Sequence, residues 1–317
     1  MKLFITGISG LLGLNFALQA RNRFAVSGAH NLHPVSVPEV ESTQLDITSL
    51  QAVEALLAAA HPDVMVHTAA LTNVEQCESD PALAQQINQV SAQHVARSAS
   101  ALGARLVHIS TDHLFDGTRQ WTSESDPPSP MNTYAKTKYQ GELSVLEACP
   151  DALIIRTNFF GWGTPVRTSF SDWILNSLEN REQLNMFSDG YFTPILINDL
   201  VELIIRLIDI EASGIINVGG SDRVSKYEFA LELARTFDYP TDRITPVSMD
   251  SFGFNAARPK DMSFRSEKVE SILTTKMPAL ADSLARLKSL QSKGWPQMLE
   301  SAISGPVFIP NVTNSPS

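Results

Sequence analysis

Three groups of residues in this chain have types and spacings suited to chemistry on a carbonyl. Tyr134 and Lys138, in Tyr134-Ala135-Lys136-Thr137-Lys138, stand four positions apart and so share one face of a helix. A phenol titrating near pH ~10 is a poor acid-base group at neutral pH, but an ammonium held beside it favours the phenolate and makes it a usable proton donor to an alkoxide. Alone, such a pair reads as a solvated helix face. Ser110-Thr111-Asp112-His113 follows the apolar run Arg105 to Ile109, hence the carboxyl end of a strand. A hydroxyl there can hold a carbonyl polarised for hydride attack, although the same cluster can simply satisfy a loop backbone. The third group is Thr6-Gly7-Ile8-Ser9-Gly10-Leu11-Leu12-Gly13, where a first strand hands over to a first helix. Its glycines at 7, 10 and 13 permit a tight turn, close approach of backbone to a pyrophosphate and close helix packing, with the phosphate facing the helix amino terminus.

The elements that must position these groups alternate along the first half of the chain. Strands are expected at Leu3 to Thr6, Ala25 to Ser27, Gln44 to Leu45, Val64 to Thr68, Arg105 to Ile109 and Leu153 to Thr157. Helices are expected at Ser49 to Ala60, Pro81 to Leu102, closed by Gly103, and Tyr134 to Ala148. This rhythm predicts an α/β fold, a doubly wound parallel sheet of the Rossmann type with its ligands at the strands' carboxyl ends. Later come a helix near Ser169 to Glu179, a strand at Ile195 to Ile197, a helix at Leu200 to Ile210 and a strand at Gly214 to Val218; from Ser225 the pattern is mainly helical. We therefore expect residues 1–158 to form a dinucleotide-binding domain to which about 190–220 return. Residues 159–189 and 221–304 would form a smaller, mainly helical substrate-binding lobe, and 305–317 a flexible tail.

Taken in chain order, the three groups resemble the short-chain dehydrogenase/reductase superfamily, in its extended branch of nucleotide-sugar enzymes, and within it the dTDP-4-dehydrorhamnose reductases. The likeness continues through His67 to Glu75, Ile87-Asn88, Ser110 to Gly117, Gly141-Glu142, Arg156-Thr157, Phe160-Gly161, Thr193-Pro194 and Ala257 to Asp261. It implies NAD(P)H-dependent reduction of the C4 ketone of a nucleotide-linked 6-deoxy sugar. Thr111 would orient the keto oxygen, Tyr134 would donate its proton, and Lys138 would hold the nicotinamide ribose and depress the tyrosine pKa. Gly7, Ser9, Gly10, Leu11, Leu12 and Gly13 would meet the cofactor phosphates, Asp46 and Ile47 would lie by the adenine, and Ala69, Ala70 and Leu71 would line the cofactor cleft. Asn88 matches a position that relays a proton or braces its helix. The chain departs from the family in having Thr68-Ala69-Ala70 where Asn-Ala-Ala is usual, and His113 where an aromatic residue is common. The second change bears on which sugar is taken. Other members of the branch suggest an epimerase or dehydratase, or a non-catalytic cofactor-binding subunit like that of methionine adenosyltransferase. Dehydratases usually carry an acid where His113 stands.

Substrate contacts are sought at Asp112, His113, Trp162 and Arg258. Arg258 can fork a diphosphate or serve a structural ion pair, and Trp162 and Phe159 can stack on substrate or pack their loop. The end of the second strand, Ser27 to Asn31, has no acid to bind a free ribose 2'-hydroxyl and no arginine to clasp a 2'-phosphate, a slight lean to NADP(H) over NAD(H). With 24 Lys plus Arg against 34 Asp plus Glu, a net charge of -10 disfavours nucleic acid as a partner. Cys77 and Cys149 have no zinc spacing, and no metal is expected. The opening residues do not read as a signal peptide and no run suits a membrane span, so a soluble cytoplasmic protein is expected, with a homodimer as one assembly the sequence allows.

Overall fold

The computed structural model describes residues 1–303. At its centre lies a sheet of seven strands, β1 (Lys2–Thr6), β2 (Ala25–His30), β3 (Val40–Gln44), β4 (Val64–His67), β5 (Arg105–Ile109), β6 (Leu153–Thr157) and β7 (Gly214–Val218). All pair in parallel, in the order β7-β6-β5-β4-β1-β2-β3. Among the described residues eight helices have ten residues or more: α1 (Leu11–Ala20), α2 (Leu50–Ala60), α3 (Ser91–Leu102), α4 (Thr133–Ala148), α5 (Phe170–Glu179), α6 (Ile197–Asp209), α7 (Lys226–Thr236) and α8 (Leu280–Ser292).

Parallel strands need crossovers, and crossovers cover both faces of the sheet, so the inner strands carry apolar residues on both faces, with buried polar exceptions such as His67, His108, Arg156 and Thr157 near their carboxyl ends. In β4, Val64 and Val66 share one core with Leu3, Ile5, Val107 and Ile155, while Met65 shares the other with Phe4, Leu106 and Ile154. The first core is closed by α1, α6 and the later helices; the second by α2, α3 and α4. A buried ion pair, Arg156 to Glu142 at 2.7 Å, ties β6 to α4. Because the strand order reverses between β1 and β4, successive crossovers diverge there and leave a crevice at the carboxyl ends.

The doubly wound parallel sheet is as the alternation predicts, with differences of detail that have physical reasons. β2 runs on to His30 because Ala29 and His30 are buried and pair with Thr43 and Gln44. The third strand is Val40–Gln44, not Gln44 to Leu45; it lies at the sheet edge, where polar residues are tolerated and the apolar signal is lost. The expected helix Pro81 to Leu102 is divided by a π turn at Gln86–Val90. There the backbone of Asn88 comes so near α4 that a Cβ on Gly141 would lie 2.4 Å from its carbonyl oxygen.

Beyond β6 the chain makes three two-stranded pieces: Phe159–Phe160 with Ile195–Leu196, Leu184–Phe187 with Ile244–Val247, and Tyr191–Phe192 with Val224–Ser225. After Ser225 the described chain is mainly helical, as expected, with the one added strand Ile244–Val247, which Pro246 and the exposed Thr245 disguise. The expected flexible tail, 305–317, falls outside the described residues. No helix among the described residues is long and apolar enough to cross a membrane.

Candidate functional site

A cavity of about 540 Å3 opens at the crevice, within the range of small-molecule sites. At its first end is the turn from β1 into α1. Gly7 has φ +70°, and a Cβ there would lie 2.9 Å from the backbone of Ala69; a Cβ on Gly13 would lie 2.2 Å from the Gly7 carbonyl oxygen. The fold itself demands these two. Gly10 is different: its φ of -75° suits any residue, and an added Cβ would meet only the Gly7 oxygen, at 3.1 Å. Its bareness serves the cavity, which it lines together with Ser9, Leu11, Leu12, Ala70 and Leu71. No acidic side chain occupies the first turn of α1, so its free N–H groups present partial positive charge there.

Other sequence-predicted cofactor residues sit elsewhere. Gly7, Gly13 and Ala69 stand behind the lining, the last against Gly7. Asp46 is tied through Oδ1 to the amide and hydroxyl of Thr48, which lowers its pKa, and Ile47 packs on the second core; neither lines the cavity. Asn88 braces: its side chain bonds both the amide and carbonyl of Leu71 and donates to Thr137 Oγ1 at 3.1 Å.

At mid-cavity the ends of β5 and β6 meet the first turn of α4. Asn132 caps α4 by accepting from the Ala135 amide at 2.8 Å, while its Nδ2 donates to the Ala257 carbonyl. That cap sets Tyr134 against Thr111, whose hydroxyl draws the phenol pKa down less than burial pushes it up. Here the structure corrects the expected tuning. Lys138 Nζ donates to the Ile109 carbonyl at 2.7 Å, and burial lowers its own pKa to about 8, offset in part by Glu142. The phenol, neutral at pH 7 even in water, is held more firmly in that form by desolvation, so its proton stays on the oxygen rather than being removed by the lysine. Thr111 donates to Asp112 Oδ1, and Asn158 donates to Asp112 Oδ2 at 2.6 Å. The His113 ring meets the Tyr134 ring edge-on at 5.6 Å; burial lowers its pKa against the pull of Asp112, so it is neutral at pH 7. Ser110 Oγ and Thr157 Oγ1, both lining the cavity, are buried without a hydrogen-bond partner, as polar groups that meet a ligand would be.

At the far end Arg258 lies over the Phe254 ring and 3.3 Å from Glu75, yet it also lines the cavity and its buried Nε has no partner. Trp162 does not reach the cavity: it is buried against Phe237 and donates to the Leu287 carbonyl at 3.0 Å, so the expected substrate contact is replaced by packing. Sequence reasoning missed Arg167, Lys226 and Asn158, which line the cavity. Only Lys226 had a local signal, the capping box of Ser225 and Glu228 that starts α7, and a helix start does not say where its first side chain points. Lys138, Arg167, Lys226 and Arg258 give the lining four basic side chains against the single carboxylate of Asp112, in a chain of net charge -10. Such a cleft attracts polyanions of small size. Among the described residues no three His, Cys, Asp or Glu gather to hold a metal ion.

The wound parallel sheet, the bare first turn and the Thr111, Tyr134, Lys138 grouping define an extended short-chain dehydrogenase/reductase fold and cleft. The family model described as RmlD substrate binding domain matches residues 1–291, and the chain belongs to that family. A Haloferax volcanii protein named "Probable low-salt glycan biosynthesis reductase Agl14" is 29% identical over 296 residues, 91% of this chain and 98% of its own length. The rat methionine adenosyltransferase 2 subunit beta is 30% identical over 281 residues, 86% of this chain and 82% of the relative. Among solved structures, a dTDP-4-dehydrorhamnose reductase from Bacillus anthracis in complex with NADP superposes with a TM-score of 0.81 at 29% identity, covering 91% of this chain and 99% of that one.

Proposed function

We propose that this protein reduces the C4 ketone of a nucleotide-linked 6-deoxy sugar, using a nicotinamide dinucleotide bound in the same cleft. The observation that carries the reading is the convergence of Thr111, Tyr134 and Lys138 on one cavity whose other end is the bare amino terminus of α1. The dinucleotide fits this chain: Gly10 leaves room for a diphosphate, the N–H groups of Leu11 and Leu12 face it, and Ser110 Oγ and Thr157 Oγ1 await acceptors. Bound there, it supplies a hydride to the carbonyl carbon. Thr111 holds the carbonyl oxygen, and Tyr134 Oη gives its proton to that oxygen as negative charge develops, completing the alcohol. Lys138, whose Nζ donates to the Ile109 carbonyl, would bind the ribose hydroxyls. Asp112, braced by Asn158, and His113 shape the sugar pocket, and Arg258 meets the substrate diphosphate. No acid closes the end of β2, where His33 lines the cavity, which supports NADPH over NADH.

The relative named as a methionine adenosyltransferase subunit supports a second reading, a cofactor-binding regulatory protein. Oxidation of NADPH, and separately NADH, against a panel of nucleotide-linked 4-ketosugars separates the two. Consumption with at least one ketosugar is expected. Tight cofactor binding without consumption of any would transfer the assignment to the regulatory reading.

A further inference from the structure

We propose that Lys226, the first residue of α7, is a substrate-positioning cation that closes a two-pronged clamp with Arg258 on the diphosphate of the bound nucleotide sugar. The inference rests on the nucleotide-sugar reading above and adds a residue that neither the motifs nor the proton-transfer chemistry uses.

Lys226 Nζ lies 3.7 Å from the centre of the Phe192 ring and 4.6 Å from that of Phe170. It donates no hydrogen bond and has no ion-pair partner among the described residues, although it lines the cavity. Ring faces attract an ammonium but accept none of its hydrogen bonds in the way an oxygen does. Its charged neighbours are Asp112, held by Thr111 and Asn158, and Arg258, which repels it; His113 nearby is neutral at pH 7. Burial first, then Arg258, lower the Lys226 pKa to about 8, with Asp112 opposing.

Arg258 supplies the independent observation. Its side chain is 9% exposed, its Nη2 shares Glu75, and its Nε is buried with no acceptor. Two mutually repelling cations that both line one cavity, Lys226 with no hydrogen-bond acceptor at Nζ and Arg258 with none at Nε, are stabilised by an anion that bridges them. In a nucleotide sugar the diphosphate is the group carrying two charges, and it joins the sugar across one ring from C4. With the ketone held at Thr111 and Tyr134, a cation close to Asp112 and Arg258 meets that group, and the sugar end of the substrate is thereby fixed in depth.

The test is titration of dTDP-glucose into NADP+-saturated protein, so that the cofactor's own diphosphate is already in place. The ligand's diphosphate is a diester and keeps its charge from neutral to alkaline pH. Lys226→Met should weaken dTDP-glucose binding about 10- to 100-fold, the loss of one charge-assisted hydrogen bond, while NADP+ affinity stays as in the wild type. Lys226→Arg should recover most of the affinity. Wild-type affinity should fall between about pH 7 and pH 9.5 as the ammonium loses its proton, and Lys226→Met should lack that fall. In turnover the Met variant should raise KM with little change in kcat, which a merely structural role would not produce. Unchanged dTDP-glucose affinity in a Met variant that binds NADP+ normally overturns the clamp alone. Wild-type protein that takes NADP+ but binds no nucleotide sugar overturns the clamp and the function together.

Discussion

Alanine at Gly10 and at Gly13 should have opposite effects, although the two positions belong to one turn. At Gly10 the backbone, φ -75° and ψ 174°, suits alanine, and the new Cβ meets a single atom within 4 Å, the Gly7 oxygen at 3.1 Å. Folding stability should change by less than about 1 kcal/mol. The methyl does, however, fill the path by which a diphosphate reaches the N–H groups of Leu11 and Leu12. Loss of one charge-assisted hydrogen bond costs about 1.5–3 kcal/mol, so NADPH affinity should fall at least about 10- to 150-fold. At Gly13 the Cβ would sit 2.2 Å from the Gly7 oxygen and 2.9 Å from Ile8 Cα, and the backbone must move. Overpacking of that kind costs at least about 1–3 kcal/mol and should lower the melting temperature before any ligand is added. Fluorescence titration with NADPH and thermal unfolding of both variants decide the matter. A Gly10→Ala protein that binds NADPH like the wild type would refute the division between a ligand-facing and a fold-facing glycine.

Three further outcomes are expected. Tyr134→Phe should bind NADPH almost normally while turnover falls about 100- to 10,000-fold, since only the proton donor is removed; steady-state kinetics showing wild-type turnover would exclude that role. Glu142→Gln leaves the Arg156 guanidinium, 2% exposed, without its counter-charge, and should destabilise the fold by about 3–5 kcal/mol in chemical denaturation; a loss below about 1 kcal/mol would mean that water or rearrangement reaches the site. The His67 and His108 rings lie 5.1 Å apart and tilted by 33°, and burial, then the charge of Lys138, lowers His67 to about 3 and His108 well below the ordinary value. Their folded pKa values lie below the unfolded one, so below about pH 6.5 the unfolded chain binds more protons and stability falls as pH drops toward 3. His108→Leu should make that fall shallower between about pH 6.5 and pH 4, as read from denaturant midpoints; an identical slope would show that His108 does not titrate on unfolding.

What the sequence makes legible follows burial. β4, β5 and β6 announce themselves because a sheet covered on both faces needs apolar residues pointing both ways, which gives unbroken runs such as Val64-Met65-Val66 and Leu153-Ile154-Ile155. The edge strand Val40–Gln44 and the Pro-containing Ile244–Val247 face solvent and leave no such trace. In the site, Tyr134, Lys138, Thr111 and Gly10 are found by local spacing, since one helix face, one strand end and one turn place them. Lys226 and Arg167 arrive at the same cavity through tertiary packing, and an isolated lysine or arginine in sequence looks like any solvated one. Trp162 shows the converse: an aromatic in a Gly-rich loop looks like a ligand platform, and its indole N–H instead finds the Leu287 carbonyl across the core. The tyrosine's surroundings are less legible, because spacing places Lys138 on its helix face but not the Ile109 carbonyl that takes the ammonium's hydrogen bond.

The cleft draws its walls from Ser9, near the start of the chain, as far as Met262, near its last helices. An occupant therefore acts as a strut between parts that synthesis separates in time: the phosphate turn can assemble early, but the opposite wall exists only when most of the chain has emerged. By mass action, whatever fills the cleft also resists its opening, at about 2.7 kcal/mol for ligand at a hundred times its Kd. A cell short of nicotinamide dinucleotide would then hold this protein in a looser, more protease-sensitive form, and its abundance would follow the supply of its ligand.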